Sequence, residues 1–211
     1  MSDDIRVLNL YAGIGGNRKL WDGVDVTAVE WDSERANIYR DYFPNDTVVE
    51  MDAHEYLLES HSEFDFIWAS PPCPTHSRMR KLHTTEREQN DPVYPDMNLY
   101  QEILFLRGYF EGDWVVENVD PYYKEMFNPQ KKGRHLFWCN FSISDIVLEA
   151  TGVCDGDSVE EHEERLGFDL SGYDLGHDKK LKMLRNCVEP ELGEHVLKSR
   201  STKQQTIPGI A

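Results

Sequence analysis

Cys73 follows two prolines at the end of an apolar run, in FDFIWASPPCPTHS (64–77). A thiol in that position can be a packed side chain, a metal ligand or a nucleophile. The other cysteines, Cys139, Cys154 and Cys187, form no CxxC pair, and no histidine pair sits beside any of them at zinc-ligand spacing, so no metal site is expected. Four further places carry groups with chemical reach: the loop Ala12-Gly13-Ile14-Gly15-Gly16, the pair Glu30-Trp31, Asp52, and Glu117-Asn118. The glycine loop lets backbone come close to a ligand, but position 18 is Arg18, so it lacks the third glycine of a dinucleotide fingerprint. A strand-end carboxylate such as Glu30 can accept hydrogen bonds from ribose hydroxyls. Trp31 can stack on an adenine face, and Asp52 can accept from an adenine amino group. Each alone has a plainer account, as a tight turn, a strand-end acid or a core aromatic. Together, at successive strand ends, they read as a site for a nucleoside-bearing cofactor. No P-loop lysine is present to meet a triphosphate. S-adenosylmethionine therefore fits better than ATP, having no phosphate and a cationic sulfonium suited to an acidic pocket.

These residues need a scaffold that gathers them. IRVLNL (5–10), DVTAVE (25–30), TVVEM (47–51), FDFIWAS (64–70) and DWVVEN (113–118) read as buried strands, and RHLFWCNFS (134–142) as a later one. Between them the pattern predicts a short helix from Asn17, a helix over SERANIYRDYF (33–43) with Ser33 as N-cap, another over AHEYLLES (53–60), and one over PDMNLYQEILFLRGYF (95–110). Apolar runs without strict alternation, separated by helices, predict a doubly wound α/β fold with a parallel sheet covered on both faces. Ligands of such sheets sit beyond the carboxyl ends of the strands, and every candidate above falls there.

The 211 residues suit a single domain, 1–211, and 39% hydrophobic content supports a real core. No apolar run approaches the length of a membrane span, and MSDDIRVLNL lacks the layout of a signal peptide, so a soluble intracellular protein is expected. The formal net charge is −17. That is a poor match for gripping a phosphate backbone by bulk electrostatics, unless the acid is confined to one face and leaves a basic strip elsewhere. Between Asp155 and Asp178 stand nine acids and one arginine. This segment, 155–178, reads either as a docking surface for a protein partner or as part of a salt-adapted surface. THSRMRKLHTTERE (75–88) is the opposite, a local basic run containing Arg78, Arg80 and Lys81.

Taken in order, LNLYAGIGGNRKLW, VEWD, VVEMDA, SPPCPTHS, VVENV and RNCVEPELG resemble the DNA (cytosine-5) methyltransferases over nearly the whole chain. Pro-Pro-Cys after the fourth strand with Glu-Asn-Val on the fifth is the diagnostic part. The resemblance implies a Rossmann-like, mostly parallel, seven-stranded-type sheet and S-adenosylmethionine as cofactor. It also implies transfer of a methyl group to carbon 5 of a flipped cytosine in DNA. Tyr11, Gly13, Gly15 and Gly16 would form the cofactor loop, with Glu30 on the ribose, Trp31 on the adenine face and Asp52 on its edge. Cys73, preceded by Pro72, would be the nucleophile and Glu117 would hold the cytosine. Either Arg134 or His135 would reach the base carbonyl, Arg134 being preferred, and Asn186 would belong to the last motif, completing the cofactor pocket.

The chain also departs from the family pattern. Pro74 and His76 replace the usual residues after the cysteine, while Ser77 keeps its place. In Gly133-Arg134-His135-Leu136-Phe137 a histidine fills the second slot of the Arg-x-Arg motif. The target-recognition region is absent or vestigial, reduced to about 141–162. The loop after Cys73, with Ser77, Arg78, Arg80 and Lys81, is then the candidate for touching DNA, the plainer account being a solvated helix face. Two rival readings accompany this one: a tRNA cytosine-5 methyltransferase, which also uses Pro-Pro-Cys and Glu-Asn-Val, and a catalytically silent cofactor-binding regulator.

Overall fold

The computed structural model describes residues 4–77, 94–147 and 158–200. The apolar runs form strands β1 (Ile5–Leu10), β2 (Val24–Val29), β3 (Thr47–Val49), β4 (Phe66–Ala69) and β5 (Asp113–Val119). Two more strands follow, β6 (Gln130–Lys132) and β7 (His135–Cys139). They make one seven-stranded sheet in the order β3-β2-β1-β4-β5-β7-β6. The first five strands pair in parallel, β7 runs antiparallel to β5, and β6 antiparallel to β7. The α/β, doubly wound, mostly parallel sheet expected from the apolar pattern is therefore present.

Helices α1 (Ser33–Tyr42), α2 (Ala53–Ser60), α3 (Asn98–Tyr109), α4 (Val159–Leu166), α5 (His177–Arg185) and α6 (Pro190–Ser199) complete the fold. Side chains alternate across a strand, so each strand serves two cores. Leu8, Leu10, Ile67, Ala69 and Val116 face α2 and α3. Val7, Phe66, Trp68, Val115 and Phe137 face the opposite way, where Leu192, Val196 and Leu197 of α6 cover them. A third cluster joins Ile14 and Ile38 to the segment 158–187 through Leu166, Phe168, Leu170 and Met183. Among the described residues no helix is long and apolar enough to cross a membrane.

Three local expectations need correction. The segment from Asn17 is a chain of turns rather than a helix, with Arg18 N bonded to Gly15 O and Trp21 N to Arg18 O. Its backbone is wedged against α6: a Cβ added to Gly193 would overlap the carbonyl oxygen of Asn17. The cap of α1 is Asp32, which accepts from the backbone N–H of Glu34 and Arg35, and not Ser33. Strand β6 was not anticipated, because QKK has no apolar residue and pairs only at the sheet edge.

Candidate active site

Parallel register brings the candidate residues together. Leu10 pairs with Val29 on one side and Ala69 on the other, and Ala69 pairs with Val116. The next residues of β1, β2 and β4, Tyr11, Glu30 and Ser70, thus leave the sheet along one edge, and Glu117, next to Val116 within β5, lies level with them. A cavity of about 280 Å3 opens there, lined by Gly13, Glu30, Trp31, Pro72, Cys73 and Glu117, among others.

On one side lies the glycine loop. Gly13 N donates to Glu30 Oε2 at 2.9 Å, and Asp32 N donates to Glu30 Oε1 at 3.0 Å, so the buried carboxylate holds the loop against β2. Gly15 N donates to Ala12 O. Gly13 adopts φ +57 with open space where a Cβ would stand, whereas a Cβ on Gly16 would lie 2.5 Å from Cys187 Cβ. Tyr11 also has a positive φ, 57, uncommon for a non-glycine residue. Its hydroxyl donates to Glu102 Oε1 at 2.6 Å, and Glu102, fully buried on α3, also meets His54 Nδ1 at 3.1 Å. Burial pushes the Glu102 carboxyl up, against the pull of Tyr11 and His54. Trp31 is 76% exposed at the cavity, presenting an indole face, whereas Trp21, Trp68, Trp114 and Trp138 are buried. Glu30, the open space at Gly13 and the exposed Trp31 suit a phosphate-free nucleoside group, and S-adenosylmethionine fits these residues.

On the other side lies the cysteine. Cys73 is half-buried, and its carbonyl accepts from His76 N at 2.9 Å and Ser77 N at 3.1 Å. Asn118 Nδ2 donates to Pro71 O at 2.9 Å, tying the Pro-Pro-Cys turn to β5. His76 is buried, with Nδ1 2.6 Å from Tyr123 Oη, and Ser77 bridges to Pro121. These contacts anchor the turn, which gives His76 a structural role the sequence reading did not foresee. Burial, and then the Glu117 charge, push the Cys73 thiol up; Arg134 and Lys182 act in the opposite sense.

Arg134 donates through Nε to Glu189 Oε1 at 3.1 Å, and through its terminal nitrogens to the carbonyls of Arg185 and Cys187. The guanidinium lines the cavity and is held there by the C-terminal segment. His135 is the residue that meets Glu117, with Nδ1 2.6 Å from Glu117 Oε1. Asp52 departs from expectation. Its Oδ1 caps α2 by accepting from His54 N and Glu55 N, and it is not among the cavity-lining residues. Asn186 caps the end of α5 and lines the cavity as expected. Arg78, Arg80 and Lys81 lie outside the described residues, as do 155–157 of the acidic segment.

The sequence reading missed Glu102, Glu189 and Gly193. A charged residue on the apolar face of LYQEILFL signals the first, and Pro190 at a helix start points to the second. Nothing in sequence marks Gly193, since its neighbour Asn17 is remote in the chain.

Residues 5–106 match the family model of the C-5 cytosine-specific DNA methylases, a stretch that includes Cys73 and stops short of Glu117. No curated protein matches the chain. Among solved structures, a hypothetical protein of Thermus thermophilus shares 18% identity, covering 64% of this chain and 73% of that one, with a TM-score of 0.45. A putative DNA modification methyltransferase encoded within an Escherichia coli prophage shares 19%, covering 75% and 54%, with a TM-score of 0.43. The DNMT2 of Spodoptera frugiperda, as a mutant, shares 24%, covering 55% and 35%, with a TM-score of 0.37. This chain thus spans about half the length of the prophage protein and a third of the insect one.

Proposed function

We propose that this relative of the C-5 cytosine-specific DNA methylases transfers a methyl group from S-adenosylmethionine to carbon 5 of cytosine in DNA. The observation that carries the reading is that Cys73 and Glu117 open into the same cavity as Glu30, Gly13 and Trp31. S-adenosylmethionine supplies an electrophilic methyl group there. Glu30 and the glycine loop bind and orient its nucleoside, and Trp31 covers the adenine.

Carbon 5 of cytosine is a poor nucleophile until carbon 6 carries an electron-rich substituent. Cys73 Sγ, as thiolate, forms a bond to carbon 6. Glu117 gives a proton to the ring nitrogen beside it as charge develops, and carbon 5 becomes enamine-like and takes the methyl group. Loss of the carbon 5 proton to water then breaks the S–C6 bond and expels the Cys73 thiolate, and the ring-nitrogen proton returns to Glu117. The base must leave the duplex to reach a cavity of this kind. Burial and the Glu117 charge hold the free thiol above its ordinary value, and Arg134 and Lys182 act in the opposite sense, toward the thiolate.

The test is incubation with labelled cofactor and duplex DNA containing 5-fluorocytosine, where the missing carbon 5 proton traps the adduct. A covalent complex that disappears in Cys73→Ser is the expected result. An adduct with RNA alone would replace DNA by RNA as substrate. Cofactor binding without any adduct on either would favour a silent regulator.

A further inference from the structure

Glu117 has a companion that the chemistry above leaves unused. His135 is 3% exposed, with Nδ1 2.6 Å from Glu117 Oε1 and Nε2 2.9 Å from Glu189 Oε2. Sheet register produces the first contact. Glu117 pairs with Phe137 across β5 and β7, and His135 lies two residues before Phe137, on the same face. The second contact comes from α6, which covers that face and begins directly after Glu189.

A neutral imidazole has one N–H and one lone pair, so two carboxylates against it would leave one contact without a proton. Two arrangements satisfy both contacts: an imidazolium donating to each carboxylate, or a neutral ring with one partner protonated. They differ by the place of a single proton. The Glu189 end is settled, because the bridge to His135 and the guanidinium of Arg134 outweigh burial and hold its carboxyl down at about 2. The mobile proton therefore belongs to the His135–Glu117 end.

We infer that His135 is a positioning residue for Glu117: it holds the carboxyl in one orientation and donates to it when its proton moves to the base, with Glu189 as the anchor of the imidazole. This rests on the reading of Glu117 as the group that faces the cytosine ring. In that step Glu117 carries one further proton, taken from solvent, on the oxygen nearest the base, and passes it to the ring nitrogen as the Sγ–C6 bond forms, while His135 stays an imidazolium. The carboxylate left behind accepts from His135 Nδ1–H through Oε1, and the ring proton returns when the S–C6 bond breaks. A buried carboxylate without such a donor would oppose the transfer.

The charged and titratable groups facing the ring are Glu117 from β5, Glu189 from the start of α6, neighbouring Arg134, and, across the cavity, Cys73 with Lys182 and Arg185 of α5. Burial alone would lower the His135 pKa, but the two carboxylates outweigh it and raise it above 6.5.

Two measurements test the inference. In the first, the protein carrying 13C-labelled histidine is titrated by NMR, with His135→Gln identifying the signal. The midpoint is expected above 6.5 and about one unit lower in Glu189→Gln, which keeps the side-chain shape and removes the charge. A midpoint at or below the ordinary value, or one indifferent to Glu189→Gln, overturns the bridge. Glu189→Asp, with the charge kept and the reach shortened, is expected to shift it the same way by less and serves if the first variant fails to fold. In the second, single-turnover methylation by Glu189→Gln is expected to slow about tenfold or more, with cofactor Kd within about twofold of wild type. A wild-type rate overturns the positioning role. A wild-type chain that methylates neither DNA nor RNA overturns instead the methyltransferase reading, and the catalytic part of the inference with it, whatever the titration shows.

Discussion

Trp31 and Glu30 are adjacent in the chain and do opposite things. Glu30 is buried and already bonded to Gly13 N and Asp32 N, so its loss would loosen the loop as well as any ligand contact. Trp31 is exposed and joins no hydrophobic cluster, so its removal separates binding from folding. Trp31→Ala is expected to leave the melting temperature unchanged and to weaken S-adenosylhomocysteine binding about 5- to 30-fold by calorimetry, the size of one aromatic stacking contact of about 1–2 kcal/mol. Unchanged affinity would remove Trp31 from the cofactor site. The cysteines divide similarly. Cys73 is half-buried at the cavity, whereas Cys187 is fully packed beneath Gly16, where burial pushes its thiol up to about 12. Position in sequence distinguishes them only through the prolines before Cys73.

At the scale of elements, the cofactor loop is clamped from both faces of the sheet. From one side α3 reaches Tyr11 through Glu102. From the other, α6 presses Gly193 onto the backbone of Asn17, while Asn17 and Asn9 exchange side-chain hydrogen bonds. Helix α6 thus does for the loop what a covalent link would do, and it needs glycine to come close enough. Gly193→Ala is expected to destabilise the protein by about 1–3 kcal/mol through overpacking, and to weaken cofactor binding, both read by thermal melts with and without cofactor. Gly172→Ala is the control, since nothing lies within 4 Å of its added carbon. Equal melts for the two variants would show that α6 does not brace the loop.

For the whole molecule, the proposed function raises the question of how a chain of net charge −17 would meet DNA. The described part of the acidic segment is built inward as well as outward. Val159, Leu166, Phe168 and Leu170 pack on Ile14 and Ile38 beneath the cofactor loop, while Glu160, Glu161 and Glu164 are exposed. It closes the cofactor side of the site, and a partner docking on its acids remains a separate proposal. With few residues between β7 and α4, we propose that target reading is short or loose. Whole-genome conversion sequencing in a host without other methylases is expected to show methylation at no long motif. Recovery of a six-base consensus would overturn that.

The sheet, its ligand edge and the cluster of Cys73, Glu117, Glu30 and the glycine loop were legible in the sequence by itself. Apolar runs report burial on both faces, and strand ends of a parallel sheet share one edge whatever the rest of the chain does. Which residue contacts Glu117 was not legible. Arg134 and His135 are neighbours with equal claims in sequence. Only the antiparallel pairing of β7 with β5, which alternates side chains between faces, turns His135 toward Glu117 and leaves Arg134 to the C-terminal segment. Glu189 and Gly193 were equally out of reach, because α6 acquires its partners only by folding back on the sheet. Contacts between residues far apart in the chain are set by packing, and a linear pattern does not record them.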